Sequence, residues 1–220
     1  MPPHDREGRR MRADAQRNAE KLRTAAAELF HERGLHAPLK EIARRAGVSH
    51  GTLYNLFGSR EALINEVVTD LAAARLGQIA EHALAHDDAW DGFAYYVEAL
   101  CELQITDPAI SDVVTGRYPG AESLMVLCER SRASGTRIIE RAQQAGVLRP
   151  DFTREDLLFL LGANAVLARA TKDTAPDSWR RSVAFTLDGL RTEAAHHPLP
   201  PAALTAPQFY EVMGALADTR

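Results

Sequence analysis

Cysteine is nearly missing from this chain: Cys101 and Cys128 are its two thiols, and neither belongs to a Cys-x-x-Cys or Cys/His ligand pattern. That scarcity excludes a disulfide framework or a structural zinc site, and it fits two buried thiols in a reducing compartment. Long hydrophobic runs are absent too, since nowhere do about 18 uncharged apolar residues follow one another. The first residues, MPPHDREGRRMR, have no apolar core of a signal sequence, so a soluble, intracellular protein with no membrane partner is expected. Nucleophile elbows, phosphate loops and dinucleotide fingerprints are missing as well. No catalytic residue, cofactor or metal is therefore assigned. Either cysteine paired with a histidine would be the alternative, a helical enzyme, but neither sits in an evidently electropositive setting.

Positive charge is scarce overall and concentrated locally. The formal net charge is −4, yet residues 1 to 60 hold 12 Lys+Arg against 7 Asp+Glu, and the rest of the chain holds 14 against 23. A positive potential that attracts phosphate is thus confined to the N-terminal quarter.

What the chain does have is helical periodicity. Apolar residues recur at three and four positions, and proline and glycine cluster between long stretches, so the fold class is all-α. Residues 1–14 are polar and Arg-rich without an apolar stripe, which predicts a flexible basic arm and no helix. The first helix is expected over 15–33, with Leu22, Ala25, Ala26, Leu29 and Phe30 on one face and Gly34 as its C-terminal cap. Short helices over 39–46 and 50–56 follow, with Gly47 between them and Ser49 as N-cap. Ser59 then caps a helix running to about 85 through Leu63, Ile64, Val67, Val68, Leu71, Leu76 and Ile79. Further helices are expected over 89–106, 108–115, 121–145, 153–171 and 176–194. Thr153 with Asp156 resembles a capping box there, and Pro176 suits a first turn. A last short helix is expected over 207–217.

Residues 39–58, LKEIARRAGVSHGTLYNLFG, have the spacing of a helix-turn-helix. Ala43 is small where the two helices cross, and Gly47 can take the positive φ of a tight turn. Ile42, Val48, Leu53 and Leu56 form the wedge beneath. His50, Gly51, Thr52, Tyr54 and Asn55 are left on the outer face of the second helix, in reach of a major groove. Asn55 suits adenine and His50 guanine, Thr52 and Tyr54 suit phosphate, and Gly51 lets the backbone approach closely. Lys40, Arg44, Arg45 and Arg60 flank that helix and suit the phosphate backbone. The same hairpin inside a larger helical enzyme would leave these residues merely on the surface.

The run GVSHGTLYNLFGSREALI, residues 47–64, closely resembles the signature of the TetR family of transcriptional regulators, including its Thr-Leu-Tyr step and Phe-Gly-Ser turn. The resemblance implies a three-helix DNA-binding domain over 15–60, joined by a long helix to a larger helical ligand-binding and dimerisation domain over 61–220. It implies a homodimer on double-stranded DNA with a palindromic operator, repression relieved by a small-molecule effector, and a cytoplasmic, nucleoid-associated location in a bacterium. The segment GTRIIERAQQAGVLRPDFTREDLLFLLGA is similar to one type of regulatory domain in that family. Two positions depart from the pattern: Arg60 stands where many members have Lys, and Leu56 where many carry a polar side chain, which points Leu56 toward packing.

The stretch 156–168, DLLFLLGANAVLA, is apolar nearly all round, so it is either the central helix of a monomer or covered by a partner. In the second case the next helix, with Trp179, Val183, Leu187 and Leu190 on one stripe, completes a four-helix interface. Trp90, Phe93, Tyr96, Cys101, Arg117, Tyr118, Cys128 and Asn164 are the residues suited to an effector cavity, although aromatics at helical spacing also describe plain core. Asn164 stands out because an unpaired buried amide is costly. His82 and His86, at i and i+4 with Asp87 and Asp88 nearby, have a spacing that can bind a metal, but no third fixed ligand is evident in the sequence.

Overall fold

The computed structural model describes residues 3–114 and 122–199, with 202–205, 207–209, 211–212 and 215 beyond them, and side chains outside 3–11 and 122–132. Among the described residues the fold is all-α. Its helices are α1 (Pro3–Arg33), α2 (Leu39–Ala46), α3 (His50–Phe57), α4 (Arg60–Ala85), α5 (Ala89–Thr106), α6 (Pro108–Val114), α7 (Glu122–Gln144), α8 (Asp156–Thr171) and α9 (Ser178–Leu190). No helix among them is long and apolar enough to cross a membrane.

Four expectations are corrected. Helix α1 begins at Pro3 rather than near residue 15, because Glu7, Arg9, Arg10, Met11, Arg12 and Ala13 are good helix formers that prolong an existing helix without an apolar stripe. Helix α8 begins at Asp156. The predicted box forms ahead of it, the Thr153 amide and hydroxyl both donating to Asp156 Oδ2, at 2.7 and 3.0 Å. Helix α9 runs only over Ser178–Leu190, so Pro176 lies before it, and a separate 3-10 turn covers Thr192–Ala194. The break at Arg191 arises because the Leu190 carbonyl accepts from the Arg149 amide and the Thr192 amide donates to the Val147 carbonyl, bonds that a continuing helix would forbid. Leu71, placed on the apolar stripe of α4, is 44% exposed. The helix expected over 207–217 lies largely outside the described residues.

Two hydrophobic clusters form the interior. The first joins α1 (Leu22, Leu29, Phe30), α2 (Ile42, Ala43), α3 (Leu53, Phe57) and the front of α4 (Leu63, Ile64, Val68, Ala72), and it also takes in Ala109, Ile110 and Val113 of α6. The second joins the back of α4 (Leu76, Ala80, Ala83) to α5, α7, α8 and α9 through Phe93, Val97, Ile138, Leu161 and Trp179. Helix α6, capped by Asp107 Oδ1 accepting from the Ala109 and Ile110 amides, therefore reaches from the second part of the chain into the first. Its buried Asp112 accepts from the Leu35 amide at 2.8 Å. Gly34 closes α1 at φ 79°, and a Cβ there would run into the Asp112 carboxylate.

The turn between α7 and α8 is held by charge. Buried Arg149 makes a two-pronged pair with Asp151, at 2.6 and 3.0 Å, and donates to the His197 carbonyl. Asp151 also accepts from the Leu199 amide at 2.8 Å. The Arg149 guanidinium foremost brings the Asp151 carboxyl from 3.8 down to about 2.

Two outcomes are expected. Gly34→Ala must adopt a left-handed backbone and displace the Asp112 carboxylate, lowering unfolding free energy in urea by roughly 1–3 kcal/mol; an unchanged midpoint would show that the α1–α6 junction yields at no cost. Because the folded pKa of Asp151 is depressed, its stabilisation is whole above about pH 4 and is lost as pH falls toward 2. Asp151→Asn should be less stable at neutral pH, with the gap to the parent closing over that window in acid melts. A constant gap would contradict the pairing.

Candidate nucleic-acid interface

Helices α2 and α3 form the predicted helix-turn-helix, and each joint has a visible cause. Gly47 adopts φ 68° and its amide caps α2 through the Ala43 and Arg44 carbonyls. Ser49 Oγ accepts from the Thr52 amide at 3.0 Å, starting α3, and Ser59 Oγ does the same for Ala62 at the start of α4. Leu53 and Phe57 bury one side of α3, while Val48 and Leu56 pack half-buried on the same cluster. Leu56 thus packs, as its departure from the family pattern suggested.

The outer side of α3 is polar and open. His50, Gly51, Tyr54 and Asn55 are exposed, Tyr54 by 45%, with the His50 and Tyr54 rings edge to face at 4.9 Å. Thr52 is half-buried and its hydroxyl sits 2.8 Å from Ser49 Oγ. A Cβ on Gly51 would meet nothing closer than Ser49 Oγ at 3.8 Å. The protein itself has no need of glycine at 51.

The flanking cations divide into two kinds. Lys40 is exposed, and Arg44 is mostly exposed, with one contact to Glu41 at 3.4 Å. Arg45 grips Glu32 of α1 with both Nη atoms, at 2.6 and 2.9 Å, and this bond holds the Glu32 carboxyl below its ordinary pKa. Arg60 Nη1 donates to the Leu35 and Ala37 carbonyls at 2.9 and 2.8 Å, bracing the α1–α2 loop. Sequence spacing placed all four beside α3 but could not reveal that two of them also hold the domain together.

In the second cluster, Trp90, Phe93, Tyr96, Cys101 and Asn164 are all buried. Burial pushes the Tyr96 hydroxyl and the Cys101 thiol each up to about 12. Asn164 donates to Gln104 Oε1 at 3.1 Å and toward the Cys101 carbonyl at 3.4 Å, and Gln104 donates to the Leu161 carbonyl at 3.2 Å. Asn164 Oδ1 is buried with no partner. Gln104 was missed in the sequence because it sits within an amphipathic helix where a glutamine reads as surface. Arg117 and Tyr118 lie outside the described residues, as does the side chain of Cys128.

The stripe of Trp179, Val183, Leu187 and Leu190 faces inward, packed on the second cluster, and is not available to a partner. The outward apolar side chains are instead Phe159 (56% exposed) and Val166 (57%) on α8, and Phe185 (62%) on α9.

Residues 22–67 match the family described as bacterial regulatory proteins, tetR family, and residues 88–192 match the C-terminal domain of SbtR-like transcriptional regulators. The HTH-type transcriptional regulator YvdT of Bacillus subtilis is 36% identical over 72 residues, 32% of this chain and 37% of that protein. The match thus spans about a third of the length of YvdT and of the HTH-type transcriptional regulator UidR of Escherichia coli. A TetR transcriptional regulator from Streptomyces coelicolor superposes with TM-score 0.50 at 27% identity, over 79% of this chain and 98% of that one. The regulator FadR from Bacillus subtilis, in complex with stearoyl-CoA, shares the fold with TM-score 0.59 at 17% identity, over 80% and 99% of the two chains.

Proposed function

Since this chain belongs to the TetR family of transcriptional regulators, we propose that it is a homodimeric repressor that holds a palindromic operator and releases it when a small molecule binds its C-terminal helical part. The observation that carries the DNA half of this proposal is the two-sided α3: one face buried through Leu53 and Phe57, the other presenting His50, Gly51, Tyr54 and Asn55. A helix N-terminus with short polar side chains can sit deep in a major groove, where its amides favour phosphate. We assign base contacts to His50 and Asn55, phosphate contacts to Thr52 and Tyr54, and backbone attraction to Lys40 and Arg44, with Arg45 and Arg60 adding charge while bracing α1.

One α3 covers too few base pairs to select a site. Two of them related by a dyad, about 34 Å apart, read a palindrome. The covering copy is drawn to the outward face of Phe159, Val166 and Phe185, which lie on the neighbouring helices α8 and α9. For the effector, the unpaired Asn164 Oδ1 beside Gln104 and Cys101 favours a ligand that donates a hydrogen bond while its body lies on Trp90, Phe93 and Tyr96. The stearoyl-CoA complex of FadR supports the capacity of this fold to take small molecules.

The test titrates labelled duplex from upstream of the encoding gene with parent, Tyr54→Ala and Gly51→Ala proteins at several salt concentrations. The parent should bind with an affinity that falls steeply with salt. Tyr54→Ala should lose about tenfold or more, with helicity and oligomeric state unchanged. Gly51→Ala should lose affinity while keeping or gaining stability, by up to ~1 kcal/mol from helix propensity. Normal binding by both variants would overturn the assignment of α3 as the contact helix.

A further inference from the structure

Helices α4 and α5 meet at an elbow where three aromatic and imidazole side chains converge. His82 and His86 lie four residues apart at the end of α4, His86 being its C-cap residue. Across from them on α5, the Tyr95 hydroxyl is 3.3 Å from His82 Nδ1, and the Tyr95 ring lies 5.3 Å from that of His86. Together with Ala85 they line an open cavity of about 380 Å³. From sequence the histidine pair lacked a third ligand; among the described residues the fold adds none, but it sets Tyr95 against both rings.

The elbow is built rigidly. Arg141 of α7 donates to the Leu84, His86 and Asp87 carbonyls, so the backbone that carries His86 is fixed from outside α4. Gly92 permits α5 to touch α4, since a Cβ there would run into the Ala83 carbonyl. Tyr95 lies one turn further along α5, which sets its hydroxyl against His82.

We propose that His82 and His86 form a two-imidazole site for a divalent transition ion of the Zn(II), Ni(II) or Cu(II) class. His82 binds through Nε2 while its Nδ1–H donates to the Tyr95 hydroxyl, the outer-sphere bond that fixes ring orientation and tautomer in protein metal sites. Residues i and i+4 on one helix face are spaced for two imidazoles on one ion, and imidazole selects this class over Mg(II) and Ca(II), which favour oxygen. Among the described residues no three His, Cys, Asp or Glu side chains converge, so the two imidazoles would be the protein's ligands and the remaining positions would be left to solvent. Nothing in this assignment depends on the DNA-binding proposal.

Calorimetric titration of the full chain with ZnCl2 or NiCl2, and with MgCl2 as control, tests it. One ion per protomer is expected, absent with MgCl2 and lost in His82→Ala and in His86→Ala, while Tyr95→Phe weakens affinity by about tenfold or more. Should an alanine variant lose helicity, His82→Gln or His86→Gln takes its place. Absence of binding by the parent, or retention of full stoichiometry in both single variants, would overturn the assignment. So would transfer of the loss to His196→Ala or His197→Ala.

Discussion

One helix serves two interiors. Helix α4 puts Leu63, Ile64, Val68 and Ala72 into the cluster beneath α2 and α3, then Leu76, Ala80 and Ala83 into the cluster formed with α5, α7, α8 and α9. A straight helix of 26 residues spans about 39 Å, and close-packed interiors do not absorb its displacement gradually. The two interiors therefore share one helix, the route by which the proposed ligand release would reach α3. The second bridge, α6, acts in the same sense: Ile110 and Val113 are packed among α1 and α4, and Asp112 holds the Leu35 amide where only glycine fits beside it. The helix-turn-helix is thus attached to the C-terminal part through two packed contacts rather than through a free linker.

The chemistry of the N-terminal part follows from a division between residues that make it fold and residues left over. Ala43, Gly47, Ser49, Leu53 and Phe57 are occupied by crossing, turning, capping and burial. His50, Gly51, Tyr54 and Asn55 stay exposed on the other side of α3, which is why the proposed DNA contacts are assigned to them. Arg45 and Arg60 carry structural duties as well, bonded to Glu32 and to the Leu35 and Ala37 carbonyls. The local excess of positive charge over residues 1 to 60 is in this way partly structural.

Much of this was readable in the sequence wherever a local rule governs. Gly47, Ser49 and Ser59 announce a turn and two caps through their own backbone and side-chain chemistry, and α2 to α5 lie within a residue or so of expectation. Tertiary effects were not readable. The extension of α1 to Pro3 needs only propagation from a helix already formed, so the lack of an apolar stripe did not forbid it. Trp179, Val183, Leu187 and Leu190 form a true stripe, but which body it faces is a matter of packing, and it faces its own core. Gln104 and Tyr95 acquire their significance from residues 60 and 13 positions away, a separation that no periodicity encodes.

Polar groups inside the C-terminal part follow the same logic of use and surplus. Asn164 spends its amide on Gln104 and Cys101 and leaves Oδ1 without a protein partner, a costly state for a buried amide oxygen. At the outer surface, Phe159, Val166 and Phe185 remain exposed on α8 and α9, the face on which the proposed second copy would seat and so bring a second α3 to the DNA. The most direct measurement of that central claim is a hydroxyl-radical footprint of the full chain on the DNA upstream of its gene. Protection is expected in two dyad-related segments one helical turn apart, with two protomers per site. Uniform protection without dyad or sequence preference would contradict it.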